Sequence, residues 1–206
     1  MKTPLSYQLS EYDCGPTTML NAISFLFDRK QIAPDLIKSV HMFCMDSFNR
    51  RGEVGKYGTS RIEISYLGDW LNEYAVCRKL PIHCQSLHQD DIFLGVHSRI
   101  TACLQCGGCA IARVHYGCDH YILLTAADVQ NEESFIFDPY YRDIPFHSRK
   151  ITMIESAPDR YNRKISWDLL NNEGKTTYAL GPVEKRECML LYNMDTYQID
   201  KSEYII

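Results

Sequence analysis

YQLSEYDCGPTT, residues 7–18, sets a glutamine six positions ahead of a cysteine that opens a Gly-Pro-Thr-Thr run. Pro16 suits the first turn of a helix: its missing N–H is one the helix start leaves unpaired, and its φ is already helical. Met19, Leu20, Ala22, Ile23, Leu26 and Phe27 then wrap most of the surface, predicting a central helix over 15–28. Cys14 stands just before it, where unpaired N–H groups and the positive end of the dipole favour a thiolate over a thiol. Gln8 lies one short loop upstream, close enough for its amide to join the Cys14 N–H in holding an oxyanion.

Working outward, Leu36, Ile37, Val40 and Phe43 fall on one stripe and predict a helix over 34–44. A glycine-bearing loop at 51–58 follows. Ser60 and Glu63 fit a capping box, and Ile64, Leu67, Leu71 and Tyr74 carry a helix to about residue 76. A fourth helix is expected over 90–105, with Phe93, Val96, Ile100 and Leu104 as its stripe and Gly107-Gly108 as its stop. The period then changes. Short β-branched or aromatic runs at 110–116, 120–125 and 134–138 predict an antiparallel sheet. Further strands are expected at 150–154, 177–180 and 189–192, with a short helix near 167–170. Helices followed by an antiparallel sheet make an α+β fold, a helical N-terminal half packed on the sheet.

With 206 residues, 45% of them hydrophobic, the chain can build one substantial core. The reading divides it into a core over 1–150 and a C-terminal extension over 151–206 that completes or covers the same domain. A net charge of −4, from acidic and basic residues interspersed along the chain, gives no footprint for nucleic acid or an anionic membrane. The start of the chain has no secretory stretch, and no run approaches the roughly 18 apolar residues of a membrane span. These features predict a cytoplasmic protein. The nine cysteines are odd in number and scattered, which favours free thiols over a disulfide framework.

A nucleophilic cysteine needs a base, and the base an orienting group. His120 begins one expected strand and Asp138 ends the next, so a hairpin would set imidazole and carboxylate side by side at one rim of the sheet. Gln8, Asp13-Cys14-Gly15, His120-Tyr121 and Asp138-Pro139, in that order and spacing over residues 5–145, resemble the papain-like double-glycine leader peptidases, family 39 of the cysteine peptidases. The resemblance is to a stand-alone member, because the chain continues into residues 151–206 rather than into transporter spans. It implies a papain-like fold and hydrolysis of a peptide bond through a Cys thioester, typically after Gly-Gly in a leader peptide. Cys14 would be the nucleophile, His120 the general base and then acid, Asp138 the orienting residue and Gln8 the oxyanion side chain. It implies a peptide or protein substrate and no metal or organic cofactor.

Each feature also has a plainer reading. A cysteine at a helix start is commonly packing, and an Asp-Pro pair commonly ends a strand. His115 competes with His120 as the base. Cys103, Cys106, Cys109, His115, Cys118 and His120 invite zinc, but no second paired-cysteine knuckle accompanies them. Gly107-Gly108 could be a self-cleavage site, though a helix cap fits it better. Tyr7, Tyr12, Tyr140 and Tyr141 could line a substrate groove. The same groups would also serve an acyltransferase or amidase, and a non-catalytic peptide- or zinc-binding module is the rival from another class.

Overall fold

The fold is described from a computed structural model over residues 2–44 and 46–197. In chain order it runs α1 (Cys14–Leu26), α2 (Pro34–Phe43), α3 (Arg61–Arg78), β1 (Ile82–His88), α4 (Arg99–Gln105), β2 (Cys109–His115), β3 (Asp119–Asp128), β4 (Glu133–Phe137), β5 (Ile151–Met153), β6 (Arg163–Ser166), α5 (Trp167–Leu170) and β7 (Glu187–Asn193). The seven strands form one sheet in the order β1-β7-β2-β3-β4-β6-β5, and every pairing is antiparallel. This is an α+β architecture.

Alternation along the strands gives the sheet two buried faces. Ile111, Tyr121, Leu123, Met189 and Leu191 join the core under α1–α3. Their neighbours Ala110, Ala112, Ile122, Leu124 and Leu190 join a second core with Ile100 and Leu104 of α4 and Trp167 and Leu170 of α5. The extension is therefore threaded into the sheet: β7 lies between β1 and β2 and contributes to both cores.

Four segments depart from expectation. The helix expected over 90–105 forms only from Arg99, because tertiary partners take the upstream backbone. Asn171 accepts from Leu94 N–H and donates to its carbonyl, both at 2.8 Å, while Arg186 donates to the Ile92 carbonyl at 2.9 Å. Val96 is 56% exposed and Phe93 is exposed as well, so only the downstream half of the expected stripe, Ile100 and Leu104, faces a core. Residues 82–88 form β1, unforeseen, and its register pairs Ile82 with Asn193 at the far end of the described chain. The expected strand at 177–180 is instead a tight turn around Tyr178, and 163–166 supplies a strand that was not foreseen.

Gly107-Gly108 forms the turn from α4 into β2. Gly107 has φ +82°, and a Cβ on Gly108 would stand 2.6 Å from Cys103 Sγ and 2.8 Å from the Leu191 carbonyl. Both positions are glycine for reasons of packing and backbone. Among the described residues, no helix is long and apolar enough to cross a membrane.

Candidate active site

The loop before α1 is tied by its own aspartate. Asp13 Oδ2 accepts from Leu9 N–H at 2.9 Å, and Oδ1 accepts from the N–H and hydroxyl of Ser10 at 2.8 and 2.7 Å. Burial acts to raise its pKa, but those hydrogen bonds prevail and hold the carboxyl below its usual range. Asp13 occupies the cap position of α1, yet its side chain turns back to the loop rather than onto the helix. The first turn, beginning at Cys14, thus keeps its N–H groups without a side-chain cap among the described residues, and such groups attract an anion.

Helix α1 is then fixed against the sheet. Thr18, fully buried, donates its hydroxyl to the Tyr121 carbonyl of β3 at 3.1 Å, and Asn21 brackets the backbone of Ser6 at 2.7 and 2.9 Å. Gly15 lets the helix start approach the loop before α3: a Cβ there would stand 2.2 Å from Thr59 Oγ1 and 2.6 Å from Thr59 Cβ. Gly15→Ala is expected to lower unfolding free energy in urea by about 1–3 kcal/mol, as overpacking does. Adding Thr59→Gly should recover most of that loss. Equal stability of Gly15→Ala and wild type would show that Thr59 does not confine this glycine.

Cys14, His120 and Asp138 meet at the rim of β3 and β4. His120 Nε2 lies 2.7 Å from Asp138 Oδ1, and the ring's other hydrogen-bond partner is the Cys14 sulfur. Cys14 is 8% exposed, His120 5% and Asp138 0%. Burial pulls the imidazole pKa down, but the hydrogen bonds to Asp138 and Cys14 and the negative charges on both outweigh it and raise it to about 10. The ring is thus poised as an imidazolium between a carboxylate and a sulfur, the arrangement that activates a thiol.

Asp138 is held on every side. Oδ1 also accepts from Tyr140 N–H at 2.8 Å, and Oδ2 accepts from the Tyr178 hydroxyl at 2.5 Å. Asn162 accepts from the Asp138 N–H and donates to its carbonyl, both at 2.8 Å. Tyr116 packs against the His120, Tyr140 and Tyr178 rings at 5.4, 5.6 and 5.4 Å between centroids. Of these, only Tyr140 was singled out in the sequence, as a groove residue, and the structure instead sets its N–H on Asp138 and its ring against Tyr116.

Gln8 is anchored next door, its N–H donating to the Pro139 carbonyl at 2.9 Å. Its Nε2 donates to the Ser10 carbonyl at 2.7 Å, and its buried Oε1 has no hydrogen-bond partner among the described residues. An amide NH₂ carries two hydrogens, and the Ser10 bond uses one. His115 is elsewhere: its backbone pairs with Tyr178 and Ala179, and its side chain lines a separate cleft of ≈ 290 Å³ with Leu180 and Pro182.

A cleft of ≈ 420 Å³ opens at the sulfur, lined by Cys14, Tyr12, Tyr57, Arg61, Arg113 and Cys118 among others. Beside it lies a network the sequence did not reveal. The nearly buried Glu187 of β7 meets Arg113 Nε at 3.0 Å, Arg61 Nε at 3.3 Å and the Tyr121 hydroxyl. Of the tyrosines expected to line a groove, Tyr12 does so, whereas Tyr7 and Tyr141 pack edge to face on each other.

The thiols behind the zinc reading diverge. Cys103 packs in the core under α4 with its sulfur toward the carbonyls of Cys109 and Leu191, while Cys109 faces Ala22 of α1 across the sheet. Among the described residues, no three His, Cys, Asp or Glu side chains converge as metal ligands would. Compared with known proteins, the chain matches no family model and no curated protein.

Proposed function

We propose that this chain is a cysteine peptidase of papain-like type that hydrolyses a peptide or protein substrate through a thioester on Cys14. The observation that carries the reading is one imidazole bonded at 2.7 Å to a fully buried carboxylate and on its other side to a sulfur at a helix start. In this scheme the Cys14 sulfur attacks the scissile carbonyl carbon from the ≈ 420 Å³ cleft. The oxyanion is received by the uncapped N–H groups of α1, with the spare amide N–H of Gln8 as a second donor. His120 gives its proton to the leaving amine, leaving an acyl group on the sulfur. It then takes a proton from water, and the resulting hydroxide attacks the thioester and restores the thiolate and imidazolium. Asp138 holds the ring throughout and stabilises its charge.

The test is proteomic. New peptide termini are expected when wild type is incubated with a proteome of small peptides and their precursors, and these should vanish with Cys14→Ala. Termini following Gly-Gly would extend the family resemblance to specificity. Identical peptide maps for the two proteins would remove the peptidase reading.

A further inference from the structure

Tyr178 is the least ordinary side chain at this centre. It is fully buried, and its backbone has φ +70°, a left-handed conformation that side chains rarely adopt. Backbone bonds on both sides hold it there: Tyr178 N–H donates to the His115 carbonyl at 2.7 Å, and His115 N–H donates to the Ala179 carbonyl at 2.8 Å. The strained turn delivers the phenol to Asp138 Oδ2 at 2.5 Å. Burial first, and then the Asp138 charge, push the phenol pKa well above its ordinary value, so the hydroxyl stays a donor. Ring contacts with Tyr116 and Phe146, at 5.4 and 5.6 Å, leave the phenol little room to swing away.

A carboxylate can turn about its last bond and offer either oxygen. At Asp138 that freedom is closed by opposed donors: His120 and Tyr140 on Oδ1, Tyr178 on Oδ2. The Tyr140 bond comes from the residue's own turn, and the two Asn162 bonds fix only the backbone. Tyr178 alone among these partners reaches the carboxylate from the distant segment 151–206.

We propose that Tyr178 is a positioning residue: its hydroxyl locks the Asp138 carboxylate so that Oδ1 faces His120 Nε2, which aims the opposite ring nitrogen at Cys14. This rests on reading Cys14, His120 and Asp138 as the reactive centre, and it makes the C-terminal segment a contributor to that centre.

The experiment needs no substrate. In full-length Tyr178→Phe, iodoacetamide should alkylate Cys14 about 5- to 10-fold more slowly at pH 6 while staying within about two-fold of wild type at pH 9. The loss falls at low pH because a misaimed imidazolium no longer stabilises the thiolate there. The His120 Nε2–H proton resonance, protected in wild type, should be lost to exchange with solvent. A lower melting temperature with an unchanged alkylation profile and an unchanged resonance would reduce Tyr178 to a packing residue and overturn the proposal. Should Tyr178→Phe not fold, 3-fluorotyrosine placed at 178 keeps the phenol but makes it a stronger donor. The Nε2–H resonance should then move upfield as charge is drawn from Asp138, and an unmoved resonance overturns the proposal. If wild-type Cys14 alkylated no faster than the exposed Cys77, the peptidase reading would fall, while the resonance would still decide the role of Tyr178.

Discussion

His120→Ala is expected to slow alkylation of Cys14 near neutral pH by about 10²-fold, and with it to remove any hydrolysis that depends on the thiol. In the wild-type protein Cys14 should react first among nine thiols, because it is the one bonded to an imidazole whose pKa is held at about 10. Burial pushes the thiols of Cys44, Cys84, Cys103, Cys109 and Cys188 up and leaves them poor nucleophiles. Cys118 shares the cleft and is exposed, but partial burial and then the negative charges of Cys14, Asp119 and Glu11 push its thiol up as well. Mass-spectrometric timing of carbamidomethyl adducts reads all of these in one experiment, with Cys77 as the exposed reference. Unchanged labelling of Cys14 in His120→Ala would show that the imidazole does not activate the sulfur.

The second large effect is expected from Asp138→Ala, on stability and on rate together. Removing the carboxylate leaves the His120 ring, the Tyr178 hydroxyl and the Tyr140 N–H buried without their acceptor. Breaking a buried pair from one side costs about 3–5 kcal/mol, and loss of the orienting carboxylate should lower kcat by about 10³- to 10⁴-fold. The stability loss should depend on pH in a definite sense. His120 is raised from 6.5 in the unfolded chain to about 10 in the fold, so its protonation stabilises the native state fully below pH 6.5. That contribution fades as pH climbs toward 10. The gap in unfolding free energy between wild type and Asp138→Ala should accordingly be widest near pH 6.5 and shrink on titration toward pH 10. A gap that does not change across this range would mean that the pair does not carry the charge assigned to it.

What could be read in the sequence follows from the range of the interactions. The cysteine-bearing helix was legible because its signals are local: Pro16 in the first turn and apolar residues at helical spacing. Strands β2, β3 and β4 were legible because neighbouring strands pair through short turns and keep their period. By contrast β1, with polar residues between Ile82, Cys84 and Leu87, finds its partner only in β7, a register no local pattern announces. The over-long fourth helix failed for the same reason, since Asn171 and Arg186 capture the backbone of Ile92 and Leu94 from far along the chain. At the site, Cys14, His120 and Asp138 could be found from residue type and order. Asn162, Tyr178 and Glu187 could not, because each acts as a single side chain projected from a remote loop or strand.

The central place of β7 bears on how the protein is made. Of the described strands it is the last in chain order, yet β1 pairs with it alone and β2 leans on it. A ribosome must therefore add every residue from Cys14 to β7 before the gap between β1 and β2 can be filled, a delay on the order of ten seconds at ordinary translation speeds. Through that interval the nascent chain carries its cysteine without Tyr178 and with two strand edges open. Its need for protection against aggregation is greatest just before β7 docks between β1 and β2.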